Sequence, residues 1–395
     1  MAPSRPLRGL VAASLAVACA IVARGPEAHA RVATFSDVPR GFWAAGAIDY
    51  VAGDFDWMRD GSPSDDDAYR FHPLRLESRR LFARALVRAF APDERQDDSL
   101  RFADLSPGEP FFAAADVAVK LGWMRADPDG DFRPTDPVTT LETHEALVAA
   151  VGLDELADAA SAIHLRRGMT FDVPDGFGAM LIGMRMGLRY DHPDDALDVS
   201  PASPLSRAEV AWSLYRAATM QDRMAPSLAR YAHIELPNLG PRRKAIVQWG
   251  IRYVGYPYVW GGEWSRPTTP GYCCGTQAVG GFDCSGLAWW LMRASDAGWD
   301  NSPPRPYAGW ELPQRDSAAM AATGGHVPWG DLRAGDLLFY DGDGDGRVDH
   351  VNTSIGNGWA IDSSGSLGGV TIAWVGSGWY ADHFVHGRRI IAPLE

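Results

Sequence analysis

Cys284 stands in Gly281-Phe282-Asp283-Cys284-Ser285-Gly286-Leu287, between a glycine-rich turn and the apolar run Ala288-Trp289-Trp290-Leu291-Met292. At a helix start, unpaired backbone N–H groups favour an anion, and the thiolate is the nucleophilic form of cysteine. A helix end supplies at most about 2 kcal/mol, or roughly 1.5 pKa units, of the roughly 5 units separating an ordinary thiol from a His-paired catalytic one. An imidazolium must supply much of the rest. Without one, the cysteine is a small buried hydrophobe.

His350 is the candidate base. It heads the strand-like run His350-Val351-Asn352-Thr353-Ser354-Ile355-Gly356, and Asp336-Leu337-Leu338-Phe339-Tyr340 precedes it as another. Twelve residues beyond His350, Asp362 lies in Trp359-Ala360-Ile361-Asp362-Ser363-Ser364. A short turn at Gly356-Asn357-Gly358 makes these runs a hairpin and brings the carboxylate to the ring. Nucleophile, base and orienting group are then complete. His326, His383 and His386 have no such context.

With Tyr256-Pro257-Tyr258-Val259-Trp260-Gly261-Gly262 and Ala334-Gly335-Asp336-Leu337, these segments resemble the NlpC family of papain-like bacterial cell-wall peptidases, over about residues 241–394. The resemblance implies an α+β fold in which a helix carrying Cys284 lies against an antiparallel sheet carrying His350 and Asp362. It assigns Cys284 as nucleophile, His350 as general base and Asp362 as orienting group. It also places Tyr258 beside the thiol and has Asp283 and Ser285 bind the amino end of the peptide. The family's usual third residue is His, Asn or Gln, so Asp362 departs from the pattern, although a carboxylate accepts the ring N–H equally well. The implied reaction is hydrolysis of peptidoglycan stem peptides, at the bond joining γ-D-glutamate to the diamino acid. An amidase or acyltransferase on the same scaffold, and a wall-binding structural protein with an inactive peptidase domain, are the alternatives.

Two insertions set this domain apart. The first, from Glu263 to Gly280, carries Cys273-Cys274 and forms an expected rim of the cleft. Trp260, Trp264 and Trp310 are candidates to line that cleft, with Trp260 counted among the substrate-binding residues. The second insertion places carboxylates Asp341, Asp343, Asp345 and Asp349 at positions 1, 3, 5 and 9 of an EF-hand-like loop, with Gly346 at 6, Arg347 at 7 and Asn352 at 12. The spacing leads to an expected structural Ca2+ that rigidifies the approach to His350; an acidic turn without metal is the other reading. Thiol catalysis itself needs no metal or cofactor.

Arg5 and Arg8, the apolar run Leu10 to Ala23 and Ala28-His29-Ala30 read as a secretory signal peptide over residues 1–30. That run is short for a membrane span, and the expected location is secreted, at the cell wall or surface. Three of the four cysteines would remain, an odd number that suits one free catalytic thiol. Cys273 and Cys274 could be joined to each other, paired elsewhere or reduced.

Phe35-Ser36-Asp37-Val38, Phe102-Ala103-Asp104-Leu105 and Phe171-Asp172-Val173-Pro174 recur at intervals of 67 and 69 residues, each opening a helical unit. With the Asp129-Gly130-Asp131-Phe132-Arg133-Pro134 turn and Leu205-Ser206-Arg207-Ala208-Glu209, these units resemble S-layer homology repeats, which implies binding to cell-wall polysaccharide. The basic residue of that pattern is clear only at Arg207; the second repeat has Thr140, and the first reads Leu74-Arg75-Leu76-Glu77. The expected organisation is three helical repeats over 31–230 (about 35–101, 102–170 and 171–230), a linker at 231–240 and a catalytic domain at 241–395. A net charge of −13 argues against nucleic acid and requires a local basic site for any anionic wall polymer, while 46% apolar residues in a chain of 395 support two or three globular cores.

Overall fold

The computed structural model describes residues 35–60, 70–97, 100–163, 168–220, 224–267, 273–277, 279–292 and 312–391. The expected signal peptide, Trp310 and part of the first insertion lie outside them. The chain divides into two compact units, one drawn from Met1–Val138, Glu142–Glu155 and Leu205–Met220, the other from Thr139–Leu141, Leu156–Pro204 and Gln221–Glu395. Among the described residues, no helix is long and apolar enough to cross a membrane.

The first unit is helical, with Arg79–Phe90 packing against both Phe112–Lys120 and Arg207–Ala218. The repeated Phe-x-Asp has a structural cause. Asp37 accepts from the backbone N–H groups of Phe71 and His72 at 2.8 and 2.7 Å, and Asp104 accepts from those of Phe132 and Arg133, both at 2.7 Å. Each carboxylate so clamps a turn whose second residue is left-handed, with φ of 58° at His72 and 55° at Arg133. Ser206 and Glu209 form a capping box at the last helix. Arg79 is the first residue of its helix, as Arg207 is of its own. Both arginines are buried: Arg79 pairs with Glu142 and lies over Phe132, while Arg207 pairs with Glu77 at 2.8 Å and lies over Phe71.

Contacts do not divide the chain where the sequence suggested. Leu156–Pro204, most of it from the third repeat, belongs to the second unit. Its Asp172 sits one residue earlier than Asp37 and Asp104 in their motifs, and it binds Gln248 through both backbone groups at 2.7 Å and Arg252 at 3.2 Å. The expected linker at 231–240 is packed as well: Tyr231, Ile234 and Leu236 are buried, and the Tyr231 hydroxyl donates to the Ile372 carbonyl at 3.0 Å.

In this second unit we label α1 (Phe177–Met186), α2 (Pro241–Tyr253), α3 (Cys284–Leu291), α4 (Ser317–Ala321) and α5 (Trp379–Asp382). Its strands are β1 (Glu263–Trp264), β2 (Gly281–Phe282), β3 (His326–Val327), β4 (Leu337–Tyr340), β5 (His350–Gly356), β6 (Trp359–Ser364), β7 (Gly369–Trp374) and β8 (Phe384–Arg388). Strands β3 to β8 form one antiparallel sheet in the order β3-β8-β4-β5-β6-β7. The helix α3 lies against β5 and β6, and the closely packed α2 also meets β6. The aromatic side chains of Trp249, Tyr253, Phe282 and Trp290 fill the space around α2 and α3, and Trp290 Nε1 donates to the Tyr253 hydroxyl at 3.0 Å.

The hairpin joining β5 to β6 turns through Gly356, Asn357 and Gly358, all with positive φ, as their residue types allow. Its register opposes Thr353 to Ile361 and Ser354 to Ala360. Side chains alternate across a strand, so the even-numbered His350, Asn352 and Ser354 share a face with Ala360 and Asp362. His350 and Asp362 are therefore diagonal neighbours on one face. The same face carries Leu338, Tyr340 and Ala373, whose packing excludes water beneath the pair.

Candidate active site

Cys284 is the first residue of α3, and Asp283 is its N-cap, accepting from the Gly286 N–H at 2.5 Å. The thiol is free and partly exposed, whereas Cys273 and Cys274 are bonded to each other. His350 hydrogen-bonds to Cys284, and its Nε2 meets Asp362 Oδ1 at 2.9 Å, which leaves Nδ1 for the sulfur. Burial alone would push the imidazole down, but the Asp362 carboxylate and the contact with Cys284 outweigh it and hold His350 well above its ordinary value. Asp362 is fully buried, and its second oxygen accepts from the Tyr380 hydroxyl at 2.5 Å. Cysteine, imidazole and carboxylate thus form one continuous chain of contacts.

Tyr258 lies close to Cys284 and Asp283. Burial pushes its hydroxyl far up, with Cys284, Asp283, Asp191 and Asp195 as its charged neighbours, so it remains a donor beside the thiol. Trp260 is 65% exposed, on a backbone held by Asp195 at its N–H (3.0 Å) and by Gln277 at its carbonyl (3.2 Å). Trp264, expected with it, is instead buried against Trp290.

Asp283 and Ser285 contact each other and Arg315. Oδ1 of Asp283 accepts from Gly286 N–H, the Ser285 hydroxyl (3.1 Å) and Arg315 Nη1 (3.1 Å), while Oδ2 accepts from Gly261 N–H at 3.0 Å. Both oxygens are thus hydrogen-bonded, with a guanidinium already beside them. Arg315 also binds Glu263 at 2.9 Å and the carbonyls of Gly261 and Gly262 at 3.1 and 2.9 Å. The cluster locks the Trp260-Gly261-Gly262 strip to the start of α3. Glycine is required at 286, because a Cβ there would stand 1.9 Å from the Gly262 carbonyl oxygen.

The acidic loop joins β4 to β5, with strands on both sides of it. Ligand oxygens of Asp341, Asp343 and Asp345 lie within 4.8 Å of one another. These carboxylates also accept from loop backbone: Asp341 from Gly344, Asp345 and Gly346, Asp343 from Asp345, and Asp345 from Arg347. Asp349 turns to the Gly342 N–H at 3.0 Å. Asn352, the expected twelfth ligand, is buried in β5, where its amide oxygen accepts from the Tyr340 hydroxyl at 3.1 Å. The three aspartates at the head of the loop are therefore the carboxylates closest to one another, and Asn352 is directed to the sheet.

Sequence reasoning missed Tyr380, Arg315, Asp191 and Asp195. Asp191 is raised to about 6 by burial and then by Asp198 and Asp195, and Asp195 is raised by burial. Their partners lie far away in sequence, as with Asp195 and Trp260, so no local spacing announces them.

The fold and site define the class: a papain-like α+β domain with a helix-borne thiol facing an imidazole and carboxylate on an antiparallel sheet. Residues 255–389 match the family model described as NlpC/P60 family, and the chain carries an NlpC/P60 domain there. The chain is 36% identical over 153 residues to peptidoglycan endopeptidase RipB of Mycobacterium tuberculosis, covering 38% of this chain and 55% of that protein. It is 33% identical over 119 residues to a γ-D-glutamyl-L-lysine dipeptidyl-peptidase of Bacillus subtilis, covering 30% and 31%. Murein DD-endopeptidase MepH of Escherichia coli is 30% identical over 143 residues, covering 36% and 44%. The chain therefore spans about half the length, or less, of these relatives.

Proposed function

We propose that this chain is an exported cysteine peptidase that hydrolyses amide bonds in peptidoglycan stem peptides. The observation that carries the reading is the contact sequence Cys284–His350–Asp362 at the head of α3. Transfer of the thiol proton to His350 Nδ1 makes a thiolate–imidazolium pair, and the Cys284 thiolate then attacks the amide carbonyl. The positive end of α3 favours the developing oxyanion. His350 then gives its proton to the leaving amine, the acyl group remains on sulfur as a thioester, and water activated by the neutral imidazole releases it. Asp362 keeps Nε2 protonated and the ring turned towards sulfur.

The bond proposed is that between γ-D-glutamate and the diamino acid. The relatives' names include a γ-D-glutamyl-L-lysine enzyme, which supports this bond, and a DD-endopeptidase, which acts at another. Trp260 and Tyr258 are proposed to contact the substrate. The repeats are proposed to hold the enzyme to wall polysaccharide; with Arg79 and Arg207 buried, such contact would fall to other, exposed side chains. Residues 1–30 are proposed to direct export, and the acidic loop to bind calcium.

Mass spectrometry of defined stem-peptide fragments, incubated with the intact chain and with Cys284→Ala, tests the reading. Cleavage by the wild type alone identifies both mechanism and bond. Equal absence of cleavage in both would favour an inert wall-binding protein, and a transfer product in place of hydrolysis would make it an acyltransferase.

A further inference from the structure

Asp362 is the most enclosed charge of the site, and His350 engages only one of its oxygens. A buried carboxylate with a single donor on one oxygen is costly, and it is free to swing about its last side-chain torsion. The other oxygen meets the Tyr380 hydroxyl at 2.5 Å, and this contact comes from α5, an element outside the sheet that carries His350 and Asp362. Donors on both oxygens fix the plane of the carboxylate, because rotation would break two charge-assisted hydrogen bonds together.

Tyr380 is itself held. Its ring meets Tyr340 edge-on at 5.5 Å, and Tyr340 lies 5.8 Å from the His350 ring. The neighbouring Trp379 covers the imidazole from another side at 6.0 Å. Burial, and then the Asp362 charge, push the Tyr380 hydroxyl well above its ordinary value, so it is a proton donor throughout the neutral range.

We propose that Tyr380 is a positioning residue of this site: its hydroxyl clamps Asp362 from the side away from His350 and so sets the orientation of the ring that meets Cys284. The inference rests on the reading of Cys284 and His350 as a reactive pair. Tyr380 touches no reacting atom and acts through Asp362.

The groups facing His350 are Cys284, Asp362, Tyr340 and Tyr380; those facing Asp362 and Tyr380 include Arg185 of α1 and Tyr231. His383 stacks on Trp379, and Asp349 turns away to Gly342. Removing the Tyr380 hydroxyl changes none of these other groups. It leaves the Asp362 charge less dispersed, so the carboxylate holds the imidazolium more strongly but less precisely.

The test is Tyr380→Phe in the full chain, which keeps the ring. The first readout is the rate at which iodoacetamide alkylates Cys284 as a function of pH, followed by mass of the Cys284 peptide. It needs no peptidoglycan. The expected wild-type profile shows reactivity below the ordinary thiol range and an upper step where the imidazolium loses its proton. In Tyr380→Phe that step moves to higher pH, and stem-peptide turnover falls about tenfold in kcat with KM unchanged. In an Asp362→Ala background, Tyr380→Phe should add nothing, since its hydrogen-bond partner is gone.

A Tyr380→Phe profile and kcat identical to wild type, with only Tyr380→Leu lowering thermal stability, would reduce Tyr380 to packing and overturn the proposal. A wild-type Cys284 that reacts only as an isolated thiol would overturn the reactive-pair reading beneath it, and the proposal with it. The two failures are distinguished by which protein departs from expectation.

Discussion

Replacing Arg315 by methionine tests the claim that one buried guanidinium fastens the nucleophile's helix to the strip beside it. Arg315 is 5% exposed and gives five hydrogen bonds of 2.9–3.1 Å: to Glu263, Asp283, the Ser285 hydroxyl and the carbonyls of Gly261 and Gly262. Methionine preserves the stem's packing but strands two buried carboxylates. Breaking a buried pair by removing one partner costs about 3–5 kcal/mol. With a urea slope of about 2 kcal/mol per molar, the unfolding midpoint of this unit should fall by about 2 M. The sign of the pH dependence follows from the stranded charges. A buried carboxylate without its counter-ion binds protons more tightly than in the unfolded chain, so its cost is full at high pH and shrinks on acidification. The gap between Arg315→Met and wild type should thus narrow from pH 8 to pH 5. Glu263→Gln in the variant should recover part of the loss at pH 8. A midpoint shifted by less than about 0.3 M, the scale of an ordinary surface substitution, would refute the reasoning, as would a gap that widens on acidification.

Gly286→Ala drives a Cβ to 1.9 Å from a backbone oxygen, and overpacking of this kind costs about 1–3 kcal/mol. Calorimetry should show a Tm lower by roughly 4–10 °C, with activity reduced even where the variant is folded, because the head of α3 must shift. Asp362→Asn removes the charge that raises His350 against the pull of burial. The imidazolium should then be lost at lower pH, so the upper limb of kcat/KM should move down, and an unmoved limb would contradict the assignment. For the acidic loop, calcium titration should perturb tryptophan emission in a saturable way, since Gly342 packs against Trp379, and Asp343→Asn should abolish the change.

The hairpin that carries His350 and Asp362 was legible because its information is local. Alternation over His350-Val351-Asn352 and Trp359-Ala360-Ile361 sets the strands, Gly356-Asn357-Gly358 sets the turn, and parity then puts His350 and Asp362 on one face. The recurring Phe-x-Asp was legible for the same reason, since Asp37 and Asp104 each close a nearby turn. In Phe171-Asp172 the aspartate stands one position earlier than Asp104 does in its motif, and its backbone meets Gln248 while its carboxylate meets Arg252. The partners of Asp283 were not legible for a related reason. Its motif is local, but the guanidinium that engages it comes from Arg315, 32 residues further along the chain. Tyr380 follows a Gly-Ser-Gly turn without any motif of its own, and only the closing of β7 onto β6 brings it beneath Asp362.

The most direct measurement is the mass of the Cys284 peptide after acid quench of the intact chain mixed with a defined stem peptide. The account predicts a transient acyl adduct on Cys284 that forms before the released amine fragment accumulates and disappears as the acid fragment appears, with neither product formed by Cys284→Ala. Release of the same fragments by Cys284→Ala would show that another group carries the reaction and would contradict the account.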